Sequence, residues 1–254
     1  MTKTISINTD CFPKLKEDGF LKSDGINSAG RAMKDLFFQR FADIVITNTN
    51  PHSNVDHTLK HIPKERLVID FYKWDYQLDV YRYADKYEAF LKEIHDKGIN
   101  KCVGMDFSLW WDQPGPTLIN NLYLNMCRLR QAQDLGFQCI FNWNNAMPEF
   151  TDIYEDILPA HVPIVMADAN HELTAEQLKR EIKALEMFCG FTKVDIIIVQ
   201  ASRQDIHFMH DFLKVAVDLG IKYYLMPSQT ALLGGVRRKQ EFEDELNLPI
   251  TTTV

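Results

Sequence analysis

Three aspartates each come directly after a short apolar run, a pattern that places carboxylates at the ends of buried strands. Asp70 follows Leu-Val-Ile, Asp106 follows Val-Gly-Met and Asp168 follows Val-Met-Ala. A carboxylate in such a place is partly desolvated and close to other charges, which suits general acid–base catalysis, nucleophilic attack or metal binding. Asp106 is the first candidate for this chemistry, with Asp70 or Asp168 as its partner. The alternative for each is a structural carboxylate that accepts hydrogen bonds from loop amides.

A histidine close to the third aspartate is a further candidate. His171 follows Asp168 by three residues and would serve as a proton shuttle near neutral pH. The alternative is a surface histidine at the start of a helix. No spacing of potential ligands in the sequence fixes a complete metal site. The sequence therefore assigns neither a metal nor a cofactor.

Two segments near the end of the chain carry the residues of a candidate anion site, namely Arg203, Ser228, Gly234 and Gly235. Glycines ahead of a helix expose backbone N–H groups to an anion, and an arginine adds a bidentate charged contact. Both segments follow the last two predicted strands, where barrels often bind phosphate. This pattern predicts a small phosphate-bearing ligand or a nucleotide. A glycine turn followed by a solvated helix is the alternative.

Aromatic and amide side chains accompany the same polar strand ends. Trp110 and Trp143 lie in predicted loops, where flat rings can stack a nucleobase or a sugar. A hydrophobic lid is the alternative for both rings. Asn50 and Asn142 are candidate substrate-binding amides, with capping of the next helix as the alternative.

The elements that position these residues alternate between short apolar strands and amphipathic helices. Four helical patterns end in glycine and an apolar residue before a β-rich run, at Gly98, Gly136, Gly190 and Gly220. Glycine past a helix end adopts the left-handed conformation at little cost, which is typical of loops leading from a helix into a strand. We predict strands at roughly 4–8, 43–48, 66–71, 101–107, 137–142, 163–168, 194–200 and 221–227. We predict helices at roughly 28–41, 55–61, 80–97, 117–135, 149–158, 174–189, 205–219 and 236–247.

This count of elements predicts the architecture. Eight strands alternating with eight helices over 254 residues match a (β/α)8 TIM-like barrel, and we predict one such α/β domain over residues 1–254. The alternative is an open, doubly wound parallel sheet, because alternation alone does not establish closure. In a barrel the carboxyl ends of the strands share one mouth, so the three aspartates would line one cavity.

Composition narrows the classes of partner. The net charge of −7 at pH 7 argues against an extended basic surface for duplex nucleic acid. No apolar run approaches the roughly 20 residues that cross a bilayer, and the first residues lack the apolar core of a signal peptide. Five scattered cysteines indicate reduced thiols in a cytoplasmic protein. The sequence does not assign an oligomeric state.

Several short motifs in the middle of the chain resemble those of a known protein family. They are Met105-Asp-Phe-Ser108, Leu109-Trp-Trp-Asp-Gln-Pro114, Asn120-Asn-Leu-Tyr-Leu-Asn125, Gln133-Asp-Leu-Gly-Phe137 and Asn142-Trp143. Together they resemble a family of uncharacterised phage and plasmid proteins with a strand-ending Asp-Phe-Ser, a following proline, an asparagine-rich helix and a strand-ending tryptophan. This resemblance implies an origin in a mobile element and no particular activity. Thr47-Asn-Thr-Asn-Pro-His52 and the strand-ending aspartates are more loosely similar to base-exchange barrels of the tRNA-guanine transglycosylase type, whose zinc-binding cysteine cluster this sequence lacks.

Two functions from different classes remain open at this point. The first is an enzyme of the hydrolase or glycosyl-transfer type, acting on a phosphate-bearing small molecule, a nucleotide or a nucleic-acid end at the barrel mouth. The second is a non-catalytic phage or mobile-element protein that binds a ligand or a host protein there. Close carboxylates around a pocket favour the first, and a mouth blocked by Trp110 and Trp143 favours the second.

Overall fold

The computed structural model of the protein describes residues 9–23, 37–40, 64, 67–71, 75–109, 112–169, 174–201 and 209–227. The strands in these residues are β1 (Phe37–Arg40), β2 (Leu67–Asp70), β3 (Lys101–Val103), β4 (Gln138–Asn142), β5 (Ile164–Ala169), β6 (Ile196–Ala201) and β7 (Lys222–Pro227). The α-helices are α1 (Asp75–Leu78), α2 (Ala84–Asp96), α3 (Gly115–Asp134), α4 (Thr151–Ile157), α5 (Ala175–Phe191) and α6 (His210–Asp218). Short 3-10 turns lie at Thr9–Cys11, Glu17–Gly19, Asp79–Arg82, Trp143–Asn145 and Pro148–Phe150.

The seven strands form one sheet, in which spatial order follows chain order from β1 to β7. Every neighbouring pair is parallel. Parallel neighbours need a crossover connection, and from β2 onward at least one described helix lies between each strand and the next. The fold is therefore mixed α/β. A doubly wound sheet reverses its strand order at a switch point, whereas the order of these seven strands contains no reversal.

One face of the sheet packs against the helices. Alternate strand residues such as Cys139, Phe141 and Val165 join the same buried cluster as Leu122 of α3 and Leu185 of α5. This alternation follows from the two-residue period of a strand, which directs successive side chains to opposite faces.

Among the described residues, every helix is too short or too polar to span a lipid bilayer.

The opposite face of the sheet carries a second buried cluster, which we call the inner cluster. Its members are Leu21, Val68, Val103, Ile140, Ile164, Met166, Ile196 and Ile198. All except Leu21 come from strands, and no described helix contributes to it. An apolar strand face normally needs a covering layer, and among the described residues only Leu21 adds to the strand side chains of this cluster.

An N-terminal segment, residues 14–23, crosses the sheet near the amino ends of the strands. The Leu21 N–H donates to the Cys139 carbonyl at 2.9 Å, and the Lys16 N–H donates to Oε1 of Gln133 at 2.9 Å. Gln133 returns a bond from Nε2 to the Lys16 carbonyl at 3.0 Å. The segment thus places Leu21 against the inner cluster at the end opposite to the polar strand ends.

Three of the four predicted glycine loops are confirmed. Gly98, Gly136 and Gly220 have φ values of 83°, 87° and 78°, and each follows the last turn of α2, α3 or α6. The prediction at Gly190 is wrong, because α5 continues through it to Phe191. The chain leaves that helix at Thr192 in an extended conformation, with φ of −135°.

The prediction of a helix over 28–41 is wrong at its end. Phe37–Arg40 forms β1, in register with Leu67–Asp70 of β2. Pairing with a buried neighbouring strand outweighs the local preference of four residues. The predicted strands at 4–8 and 43–48 and the helices at 55–61 and 236–247 lie outside the described residues.

All five cysteines are free thiols. Cys102 and Cys139 are direct partners on β3 and β4, are fully buried, and have Sγ atoms 3.8 Å apart. Burial raises the pKa of the Cys139 thiol well above its ordinary value. Both residues therefore behave as core side chains on the helix-facing side of the sheet.

A polar cluster ties together the amino ends of β5 and β6. Oδ2 of Asp195 accepts hydrogen bonds from Ser23 Oγ at 2.5 Å and His161 Nε2 at 2.8 Å, and Lys193 Nζ lies 2.8 Å from Oδ1. Burial alone would raise the pKa of Asp195, but the bonds from Lys193, Ser23 and His161 outweigh it and hold this pKa below its ordinary value. Ser23 and His161 both bond to the carboxylate rather than to each other, so the cluster is not a nucleophilic triad.

We expect Asp195→Asn to lower the free energy of unfolding by about 2 kcal/mol at neutral pH, because charge-assisted hydrogen bonds are lost. The folded-state pKa of Asp195 is lowered, so its contribution is present above the unfolded-state pKa of about 3.9 and disappears as the pH falls through the folded-state value. Urea unfolding from pH 7 down to about pH 3 should therefore show the wild type and the variant converging in acid. Asp96→Asn, at an exposed position of α2, is the control. Equal stability of Asp195→Asn and wild type at neutral pH would contradict the role of this cluster.

Candidate functional site

The loop that follows β3 is held against α3 by asparagine side chains. Oδ1 of Asn125 accepts from the Phe107 N–H at 2.9 Å, and its Nδ2 donates to the Phe107 carbonyl at 2.9 Å. One helical turn earlier, Asn121 Nδ2 donates to the Ser108 carbonyl at 2.8 Å. Both asparagines are buried. Because the loop has left the sheet, these amides replace the backbone partners that a neighbouring strand would supply.

An arginine packs against the same loop. The Arg82 guanidinium lies 4.5 Å from the centroid of the Phe107 ring, and its Nη1 donates to Oδ1 of Asn121 at 3.1 Å. The 3-10 turn that carries Arg82 is held by Arg128, whose Nε and Nη2 donate to the carbonyls of Tyr81 and Arg82, both at 2.7 Å. The backbone around Asp106 is thus supported by α3 and by the turn before α2.

Asp106 lies at the centre of a polar cluster formed by the carboxyl ends of β3 and β4. Its Oδ1 accepts from Nδ2 of Asn142 at 2.9 Å and from Nδ2 of Asn144 at 3.3 Å. Asn142 is fully buried, Asp106 is half-buried and Asn144 is exposed, so the cluster extends from the core to solvent. Two amide donors on one oxygen fix the orientation of this carboxylate, as a general base, a nucleophile or a metal ligand requires.

Asn142 connects the two strand ends through both of its polar atoms. Besides its bond to Asp106, Nδ2 donates to the Met105 carbonyl at 3.2 Å, and Oδ1 accepts the Asn144 N–H at 2.9 Å. Asn142 is the N-cap of the turn at Trp143–Asn145. Its expected function as a helix cap and its expected place in the site therefore coincide.

The structure does not show whether the other two predicted aspartates share a cavity with Asp106. Asp70 ends β2 and is fully buried. Asp168 lies in β5 with its backbone paired to Gln200, and its side chain lies outside the described set. A single cavity lined by Asp70, Asp106 and Asp168 therefore stays a prediction.

Trp143 does not offer a stacking surface, and this prediction is wrong. The side chain is 2% exposed, and its ring centroid lies 5.5 Å from that of Phe188 and 5.7 Å from that of Phe212. The 3-10 turn after β4 directs the indole toward α5 and α6, where apolar partners surround it. Trp143 is therefore a core residue of the layer between the sheet and the helices.

Glu181 is a candidate that the sequence reasoning missed. Its Oε2 accepts the indole N–H of Trp143 at 2.8 Å. Burial raises the pKa of Glu181 to about 7, although the bond from Trp143 and the nearby charge of Arg180 lower it in part. The sequence held a signal for it: Glu181 stands three residues after Leu178 and four before Leu185, within the apolar stripe of α5.

The remaining predicted site residues lie outside the described part of the chain. They are Asn50, Trp110, His171, Arg203, Ser228, Gly234 and Gly235. Within the part that is described, no group of three or more His, Cys, Asp or Glu side chains is placed to hold a metal ion.

No protein-family model, curated protein or solved structure matches this chain. The resemblance to phage and plasmid proteins therefore stays a prediction, and the function must be argued from the site itself.

We expect Asn125→Ala to lower the free energy of unfolding by about 3 kcal/mol, because it leaves the buried N–H and carbonyl of Phe107 without this partner. Asn120→Ala, at an exposed position of the same helix, should change it by less than about 0.5 kcal/mol. Urea unfolding of both variants provides the measurement. Similar effects of the two substitutions would show that Asn125 does not anchor the loop.

Proposed function

We propose that this protein is an enzyme whose active site lies at the carboxyl ends of the strands, with Asp106 as the catalytic carboxylate. The observation that carries the proposal is the Asp106 carboxylate, oriented by the amides of Asn142 and Asn144 at the junction of β3 and β4. In parallel α/β folds the chemistry is found at this end of the strands. At the opposite end, the Asp195 cluster serves as a structural tie.

The proposed substrate is a small phosphate-bearing molecule, a nucleotide or a nucleic-acid end. Arg203, Ser228 and the Gly234-Gly235 turn would hold its phosphate, and Asn50 and Trp110 would contact the rest. These residues lie outside the described set, so this part of the proposal rests on the order of the sheet. Because β6 and β7 are neighbours, the segments that follow them start from adjacent positions.

Asp106 has two possible roles in such a reaction. As a nucleophile it would attack a sugar anomeric carbon and release the leaving group, as in retaining glycosyl transfer. As a general base or metal ligand it would activate a water molecule for hydrolysis. Asp70 or Asp168 would be the second carboxylate and His171 a proton shuttle. In both versions Asn142 and Asn144 keep the Asp106 carboxylate in one orientation.

We also propose that the sheet closes into a (β/α)8 barrel. Two observations support closure: the strand order has no reversal, and the inner cluster is buried without a described helix over it. In a barrel the strands cover each other's inner side chains, which form a packed interior. An eighth strand would then come from the segments before β1 or between β1 and β2.

A non-catalytic binding protein of a phage or mobile element is the second candidate. The burial of Trp143 against Phe188 and Phe212 favours it, because this ring is then not available to stack on a substrate. The geometry of Asp106 favours the enzyme, since its Oδ1 accepts bonds from two side-chain amides at the carboxyl ends of β3 and β4.

Amide hydrogen exchange tests closure at β7. The Lys222 N–H donates to the Asp195 carbonyl at 3.0 Å, so by alternation the amide of Tyr224 faces β6 and those of Tyr223 and Leu225 face the other edge. In a closed barrel all three amides should be protected to a similar degree, as measured by NMR. Fast exchange at Tyr223 and Leu225 beside a protected Tyr224 would mean that the edge is open.

Asp106→Asn tests the catalytic role. We expect wild type to turn over a member of a panel of nucleotides and sugar phosphates, with products detected by mass spectrometry. The substitution keeps the size of the side chain and removes its charge, so kcat should fall by roughly 100-fold or more while KM changes little. Arg203→Ala should instead weaken substrate binding by about tenfold or more.

Asp96→Asn, on the exposed surface of α2, is the matched control and should retain full activity. Binding without turnover by the wild type, with Asp106→Asn binding equally well, would support the non-catalytic alternative. Turnover that persists in Asp106→Asn would refute the assignment of the catalytic residue.

A further inference from the structure

Two sets of side-chain hydrogen bonds, joined by the backbone of the turn at Trp143–Asn145, connect α5 to the proposed catalytic carboxylate. Glu181 accepts the indole N–H of Trp143 at 2.8 Å. Trp143 is the first residue of the turn Trp143–Asn145. Asn142, which precedes this turn, and Asn144, its second residue, both donate to Asp106. The Asn144 N–H in turn donates to Oδ1 of Asn142 at 2.9 Å. Side chains on α5, β4 and the loop after β3 are therefore joined in one network.

We propose that Glu181 is a positioning residue for Asp106, acting through the Trp143 indole on the turn that carries Asn142 and Asn144. This inference rests on the proposed function only in calling Asp106 catalytic. The hydrogen bonds of Glu181, Asn142 and Asn144 do not depend on that function. The packing of Trp143 between Phe188 and Phe212 leaves its ring little freedom, so a change in its bond to Glu181 is passed to the backbone of the turn.

The charges around Glu181 indicate which group controls this bond. Arg180, the neighbour of Glu181 on α5, forms an ion pair with Glu149 of the turn before α4. The hydroxyl of Tyr154, on α4, accepts the Met147 N–H at 3.0 Å. Burial raises the pKa of Tyr154 above its ordinary value, so it stays neutral near pH 7. An arginine stays protonated at that pH. Among these described groups, Glu181 is the one whose charge changes there.

The direction of the effect follows from the raised pKa. Below about pH 7 Glu181 is neutral and accepts the indole N–H through an uncharged oxygen. Above that pH it is ionised, and a charge-assisted hydrogen bond is shorter and stronger. Ionisation therefore tightens the contact to Trp143. It also works against folding, because a carboxyl with a raised folded-state pKa loses its stabilising contribution as the pH rises through that value.

Proton–nitrogen correlation NMR of the full chain tests the chain of bonds without any substrate. The indole resonance of Trp143 is identified by its loss in Trp143→Phe, and the side-chain amide of Asn144 by its loss in Asn144→Ser. Between about pH 5 and pH 9 we expect the indole proton to move downfield with a midpoint near pH 7, because the bond to Glu181 becomes charge-assisted. The Asn144 amide should move with the same midpoint.

Glu181→Gln keeps a neutral acceptor for the indole and should abolish both titrations while leaving the protein folded. Glu186→Gln, which removes an exposed carboxylate from the same helix, should leave both unchanged. An indole that titrates beside an Asn144 amide that does not would overturn the proposal, since the effect would end at Trp143. Absence of titration at the indole, or its persistence in Glu181→Gln, would overturn it as well.

These outcomes are separate from those of the activity test. If both resonances titrate through Glu181 but no substrate of the panel is turned over, the proposed catalysis fails and the positioning network stands. If turnover is found, its pH profile should carry an inflection near pH 7 in kcat that is absent in Glu181→Gln. The KM value should change little, because Glu181 acts through the turn and does not contact the substrate.

Discussion

The side-chain amide of Asn142 is the contact on which the polar end of this sheet depends. Where β3 and β4 end, their ladder of backbone hydrogen bonds ends too, and the chains must be held by other groups. Asn142 supplies them from inside the protein, because it donates to both Met105 and Asp106 and accepts from Asn144. A buried amide whose polar atoms are all hydrogen-bonded is held rigidly, whereas a buried amide that lacks a hydrogen-bond partner lowers the stability of the fold. The same residue therefore holds the fold together and sets the geometry of the carboxylate.

This use of asparagine recurs along α3. Asn121 and Asn125 face the loop after β3 and bond to its backbone, while leucines on the same helix pack on the sheet. A loop that is supported by side chains can leave the regular geometry of the sheet and still be precisely held. Such support is what a catalytic group needs from residues that never touch a substrate.

The sequence predicted the features that arise from local rules and missed those decided by tertiary packing. The parallel strands, the long helices, three glycine loops and the polar ends of β3 and β4 follow from periodicity and turn chemistry. The helix predicted over Phe37–Arg40 is wrong because four residues carry too little periodic signal, and pairing with β2 decides their conformation. The stacking role predicted for Trp143 is wrong because a residue that follows a strand can still turn into the core. The sequence does not reveal the role of Glu181, because its environment depends on an indole 38 residues away.

The position of the N-terminal segment has a consequence for how the chain is made. Residues 14–23 are synthesised well before their partners: Lys16 bonds to Gln133, Leu21 to Cys139 and Ser23 to Asp195. The last pair is separated by 172 positions, which corresponds to roughly 10 to 30 s of synthesis at ordinary elongation rates. The inner cluster that Leu21 joins is likewise completed only when β6 has been made, because Ile196 and Ile198 belong to it. The native contacts of this segment therefore form only after most of the sheet has been translated, and assembly of this end is a late, long-range event.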